Sequence, residues 1–133
     1  MNTNLLNGMS LAYMGDAVYE IEIRRHFIEL GNTNVNNLHK LVTKYTSGKS
    51  QAFLVHKMMN DNILTDLEKE AFRHGRNSHV SSRRKNIDIQ TYLEATGFEA
   101  IFGYLYFEEK YDRIKELIVY IFNVGEFLDE QNW

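Results

Sequence analysis

The spacing of apolar and polar positions along the chain predicts five helical stretches and no clear strand. The first runs from about Asn7 to Leu30 and ends at Gly31-Asn32, a C-cap signal. The second covers about Val35 to Asn60, with a candidate break at Ser47-Gly48. The third opens at Thr65, where Thr-Asp-Leu-Glu puts Glu68 in capping-box register, and fades near Arg76. The fourth covers about Asp88 to Glu109 and the fifth about Asp112 to Leu128. The polar stretch from Arg73 to Asn86 is the one candidate for a long functional loop. No repeat, linker or second domain stands out, so one domain over residues 1–133 is expected.

Composition supports the helical reading. There is no proline, and the eight glycines are scattered. The absence of cysteine excludes a disulfide framework, a thiolate zinc site and a cysteine nucleophile, and it fits a reducing, cytoplasmic setting. The start, Met1 to Ser10, lacks the charged and apolar regions of a signal peptide, and no apolar run suits a membrane span.

The net charge of −3 argues at first against a nucleic-acid partner. It hides a strong segregation. Residues 30–60 carry Lys40, Lys44, Lys49 and Lys57 with no acid. Residues 73–85 carry Arg73, Arg76, Arg83, Arg84 and Lys85 with no acid, beside His74 and His79. A single such block is commonly just solvated surface. Two in one small domain make a phosphate-binding face an equal contender.

Two carboxylates stand against their surroundings. Asp16 shares its helix face with Met9, Ala12, Tyr13, Tyr19, Glu20 and Ile23, so it is expected to point toward the interior or a cleft. Glu99 shares a face with Tyr92, Ala95, Thr96, Phe102, Gly103 and Tyr106. A charge on such a stripe is costly unless it is protonated, paired with a residue distant in sequence, or bound to a metal. If the two helices pack face to face, the acids converge, and Gly15 and Gly103 would permit a close approach. Ions such as Mg²⁺ need only one or two protein carboxylates beside water and substrate phosphates. Other constellations are weak: no phosphate-binding glycine loop, no His-Glu-x-x-His and no nucleophile elbow is present. The five histidines lack ligand spacing, and His26 beside Arg25 reads as a surface residue.

Leu11-Ala12-Tyr13-Met14-Gly15-Asp16-Ala17-Val18 resembles the signature helix of the ribonuclease III catalytic domain, and Phe98-Glu99-Ala100-Ile101-Phe102-Gly103-Tyr104-Leu105 resembles its second catalytic helix. Leu38-His39, Lys49-Ser50-Gln51-Ala52, Gly75-Arg76-Asn77 and Lys85-Asn86, with Asp88, Gln90, Thr91 and Tyr92, extend the likeness to the Mini-III ribonucleases, which lack a separate double-stranded RNA-binding domain. The match covers about residues 5 to 125 in order. The resemblance implies an all-α ribonuclease III-type fold and a homodimer, with Asp16 and Glu99 as catalytic, metal-holding acids. It implies Mg²⁺ as cofactor, with Mn²⁺ as an alternative ion. It also implies double-stranded RNA as substrate, in particular the large-subunit ribosomal RNA precursor, with no DNA or membrane partner. Arg76 and Asn77 are the first RNA-binding candidates, followed by Arg73, Arg83, Arg84, Lys85 and Lys49. Ordinary ribonuclease III carries further acids where this chain has Met9, Ala12 and Thr96. A non-catalytic RNA-binding or ribosome-assembly module on the same fold is the alternative, and a helical interaction protein the third reading.

Overall fold

The computed structural model describes residues 6–78, 88–125 and 128. Among them are six helices and no strand: α1 (Gly8–Glu29), α2 (Val35–Thr46), α3 (Gly48–Asn60), α4 (Asp66–Arg76), α5 (Ile89–Phe107) and α6 (Tyr111–Val124).

The boundaries have local causes. Asn7, Asn34, Ser47, Thr65 and Asp88 each accept a backbone N–H of the following first turn through the side chain, satisfying a donor the helix leaves orphaned. Thr65 and Glu68 complete the expected capping box. Ser47 both ends α2 and caps α3, which splits the second predicted stretch in two. Gly31 turns the chain after α1 with φ of 100°, a conformation that suits glycine.

α5 is the central element. From Ala95 to Leu105 every residue except Glu99 is buried. A helix apolar on nearly all sides must be surrounded, and α1, α3, α4 and α6 all pack on it. Tyr19, Phe98 and Phe102 form one aromatic contact at the α1–α5 crossing, with centroids 4.8 and 5.2 Å from the Tyr19 ring. The crossing is unusually close. A Cβ at Gly15 would collide with the carbonyl oxygen of Glu99, and one at Gly103 with the carbonyl oxygen of Leu11. Gly75 of α4 meets Thr96, Gly97 and Ala100 of α5 in the same manner. α6 is fastened from outside by Arg113, which donates to both carboxylate oxygens of buried Glu68 at 2.8 and 2.9 Å and to the Ile63 carbonyl at 2.7 Å. No helix among the described residues is long and apolar enough to cross a membrane.

Candidate active site

The α1–α5 crossing brings together the helix turns that carry the two singled-out acids. Gly15 lies against the backbone of Glu99, so Asp16, next in sequence, stands beside the Glu99 turn. Glu99 is half-buried and is the one opening in the otherwise buried middle of α5. Its Oε2 accepts from the Gln51 side-chain amide of α3 at 3.5 Å. Pairing with a residue distant in sequence is thus one way this acid is accommodated.

Asp16 departs from expectation: it is exposed. Its supposed apolar stripe is split. Ala12, Tyr19 and Ile23 are buried, but Met9 and Tyr13 face outward, Tyr13 with 84% of its surface exposed. Asp16 sits at the border between these faces, where its charge stays hydrated and needs no buried partner.

The basic candidates divide. Arg73, Arg76 and Asn77 occupy the last turn and cap of α4, where cations also suit the helix C-terminus. Gly75 packs on Gly97, so this end of α4 lies at the level of Glu99 along α5. The Arg76 guanidinium lies 5.4 Å over the Phe72 ring, and its Nε donates to Asn77 Oδ1 at 3.3 Å. Arg73, His74 and Asn77 line a groove of about 450 Å³ with Leu11, Leu67, Glu70, Ala71 and Tyr104. Lys49 is exposed in the first turn of α3, two residues from Gln51. Arg83, Arg84 and Lys85, with His79, lie outside the described residues.

His26 is also placed differently from its expected surface position. It is half-buried and stacks on Phe122 with ring centroids 3.5 Å apart, and burial pushes its pKa down. Arg25 beside it stays exposed.

Gln51 has its own sequence signal. It shares a helix face with Leu54, Val55 and Met58, all buried, so it is a polar residue on an apolar stripe, as Glu99 is. The same signal in the sequence that marks the acids, a polar group on an apolar stripe, therefore marks this amide.

The donor set suits a hard divalent ion. Asp16 and Glu99 offer carboxylate oxygens from two rigid helices, and among the described residues no group of three or more metal-ligating side chains forms a closed cage. Mg²⁺ commonly binds through one or two carboxylates and keeps its remaining positions for water and phosphate.

A helical bundle with acids at a tight crossing of its central helix has the form of a ribonuclease III domain, and the family model "Ribonuclease III domain" matches residues 9–110. The chain is 45% identical over 118 residues to Mini-ribonuclease 3 of Streptococcus pneumoniae, spanning 89% of this chain and 92% of that one. It is 45% identical over 122 residues to Mini-ribonuclease 3 of Enterococcus faecalis, spanning 91% and 92%. A crystal structure of a Fusobacterium nucleatum protein superposes with a TM-score of 0.77 at 33% identity, covering 86% of this chain and 92% of that one. The chain belongs to the ribonuclease III family, within its Mini-ribonuclease 3 branch, and its activity is that of an endoribonuclease. The non-catalytic alternative is not favoured.

Proposed function

We propose that Asp16 and Glu99 hold the divalent ion of a Mg²⁺-dependent endoribonuclease that cleaves double-stranded RNA in the cytoplasm, with the large-subunit ribosomal RNA precursor as its substrate. The observation that carries the pairing is the glycine crossing, which sets the Asp16 turn against Glu99. Members of the ribonuclease III family are generally dependent on a divalent metal.

When bound, the ion lowers the pKa of a water and stabilises charge on the departing oxygen. The chain's contribution is placement. Asp16 presents a hydrated carboxylate at the rim. Glu99 presents one from a fixed position in the floor, at the single opening in the buried run of α5. Attack on phosphorus forms a bond to water oxygen and breaks the P–O3′ bond, leaving a 5′ phosphate and a 3′ hydroxyl. Arg73, Arg76, Asn77 and Lys49, with Arg83, Arg84 and Lys85, hold the backbone phosphates. Duplex RNA is read through shape, phosphates and 2′-hydroxyls, which suits a basic surface. The whole chain acts as one catalytic domain. Two copies form the working unit, each cutting one strand, with exposed Met9 and Tyr13 of α1 supporting a contact between them.

The test is cleavage of precursor ribosomal RNA with Asp16→Asn and Glu99→Gln. Loss of groups that only orient a ligand typically costs 10–100-fold, so each variant should lose at least about 100-fold in Mg²⁺-dependent cleavage. Helical content and duplex RNA binding should survive. Full activity in either variant removes that residue from the metal pair.

A further inference from the structure

We propose that Gln51 is a positioning residue for Glu99: its side-chain amide fixes one carboxylate oxygen so that the other is presented to the divalent ion. This rests on the reading of Glu99 as a metal-holding acid.

Gln51 is only 3% exposed, yet it carries two donors and an acceptor that a core position does not want. Apolar side chains fill the same face of α3 at Leu54, Val55 and Met58. The amide instead donates to Glu99 Oε2 across the α3–α5 seam, at 3.5 Å. That bond is long, as catalytic hydrogen bonds often are before ligand tightens them.

The first turn of α3 is built to hold this amide still. Ser47 caps it by accepting from the Ser50 N–H, and fully buried Ser50 donates its hydroxyl to the Lys44 carbonyl of α2. Gln51 N–H in turn donates to the Ser47 carbonyl at 2.9 Å. Three bonds thus fix the backbone from which the side chain reaches. On the other side, the Gly15 contact fixes the Glu99 backbone. The carboxylate is therefore located at both ends.

The neutrality of the amide matters. Lysine or arginine at position 51 would also orient Glu99, but it would neutralise the charge an incoming cation needs. An amide orients the acid without itself neutralising it. Groups that hydrogen-bond a ligating carboxylate characteristically tune metal affinity in this way.

Gln51→Met keeps length and volume but removes the donor. Gln51→Asn keeps the amide but withdraws it by one methylene. Mn²⁺ binding to the full-length protein, read from the electron paramagnetic resonance signal of the free ion, is measured beside Mg²⁺-dependence of duplex cleavage. Both variants should weaken Mn²⁺ about 10-fold or more. Both should raise the Mg²⁺ concentration for half-maximal cleavage by a similar factor, with most of the rate recovered at saturating Mg²⁺. If Gln51 only packs, Gln51→Met retains wild-type Mn²⁺ affinity, and that result in either folded variant overturns the proposal. Glu99→Gln is run in parallel. If it leaves Mn²⁺ affinity and cleavage unchanged, the reading of Glu99 fails first. If it abolishes both while Gln51→Met and Gln51→Asn behave as wild type, only the role of Gln51 fails.

Discussion

The least exposed charged side chain named in the fold is Glu68, and its chemistry is structural. Burial alone pushes its carboxyl up; the Arg113 guanidinium and the Thr65 N–H outweigh that and hold it below the ordinary value of 4.5. Its side chain is 3% exposed, so removing Arg113 leaves an uncompensated charge. Arg113→Met should cost about 3 kcal/mol of unfolding free energy at neutral pH. The sign with pH follows from linkage. A carboxyl with a depressed folded-state pKa contributes stability above its unfolded value and loses it as pH falls through the folded one. The gap between wild type and Arg113→Met should therefore narrow below the ordinary carboxylate range. Urea unfolding at pH 7 and at pH 3 checks this, and an unchanged gap would count against the ion pair as its source. Glu68 and Glu99 lie on different neighbours of the same core and show opposite solutions. One acid is neutralised by a guanidinium and built into the fold, while the other meets a neutral amide at the opening in the buried run of α5.

At the scale of elements, the glycines separate stability from placement. Gly15→Ala drives a methyl into the Glu99 carbonyl and toward Gly103 N, 2.8 Å from the new Cβ. Overpacking of this kind typically costs about 1–3 kcal/mol, and here it also separates the turns that carry Asp16 and Glu99. Gly31→Ala strains a left-handed position with open space around it, at roughly 1 kcal/mol, and touches neither acid. Both variants should melt earlier, but at a temperature where both are folded only Gly15→Ala should lose cleavage. Equal cleavage in the two would separate the crossing from the chemistry. Much of this level was legible in the sequence. The capping box at Thr65, the break at Ser47-Gly48 and the turn at Gly31 follow from local chemistry, and the close approach at Gly15 and Gly103 from glycines that cost helix stability. The exposure of Asp16 was not legible, because a helical stripe records neighbours on one helix and not which of them another helix covers. Tyr13 and Tyr19 look alike in sequence, yet one is 84% exposed and the other fully buried under Phe98 and Phe102. His26 was misplaced for the related reason that Phe122 lies 96 residues away and supplies its cover.

At the scale of the molecule, a net charge of −3 coexists with two acid-free basic blocks. Binding that depends on phosphate neutralisation weakens linearly in log–log terms with salt, and removing one phosphate-neutralising cation reduces the slope by about 1. Arg73→Ala and Arg76→Ala should each lower the salt slope of duplex RNA affinity by about that amount, which titrations across ionic strength would read. Unchanged slopes would move the RNA face away from the end of α4. The unit that meets the RNA is a separate matter. Tyr13 projects from α1 one turn before Asp16, and with Met9 a further turn back it forms an exposed apolar strip of the kind that marks contact surfaces. A contact between two copies through α1 would cover this strip, and it would set a second Asp16–Glu99 site at a fixed distance from the first. Sedimentation should then give twice the chain's 15.7 kDa for the wild type and the single mass for Tyr13→Asp. A dimer in which each subunit cuts one strand makes a double-strand break in one encounter. The dissociated variant should therefore accumulate nicked duplexes before any full break. A wild-type protein that sediments as a monomer at micromolar concentration and still cuts both strands together would refute that arrangement.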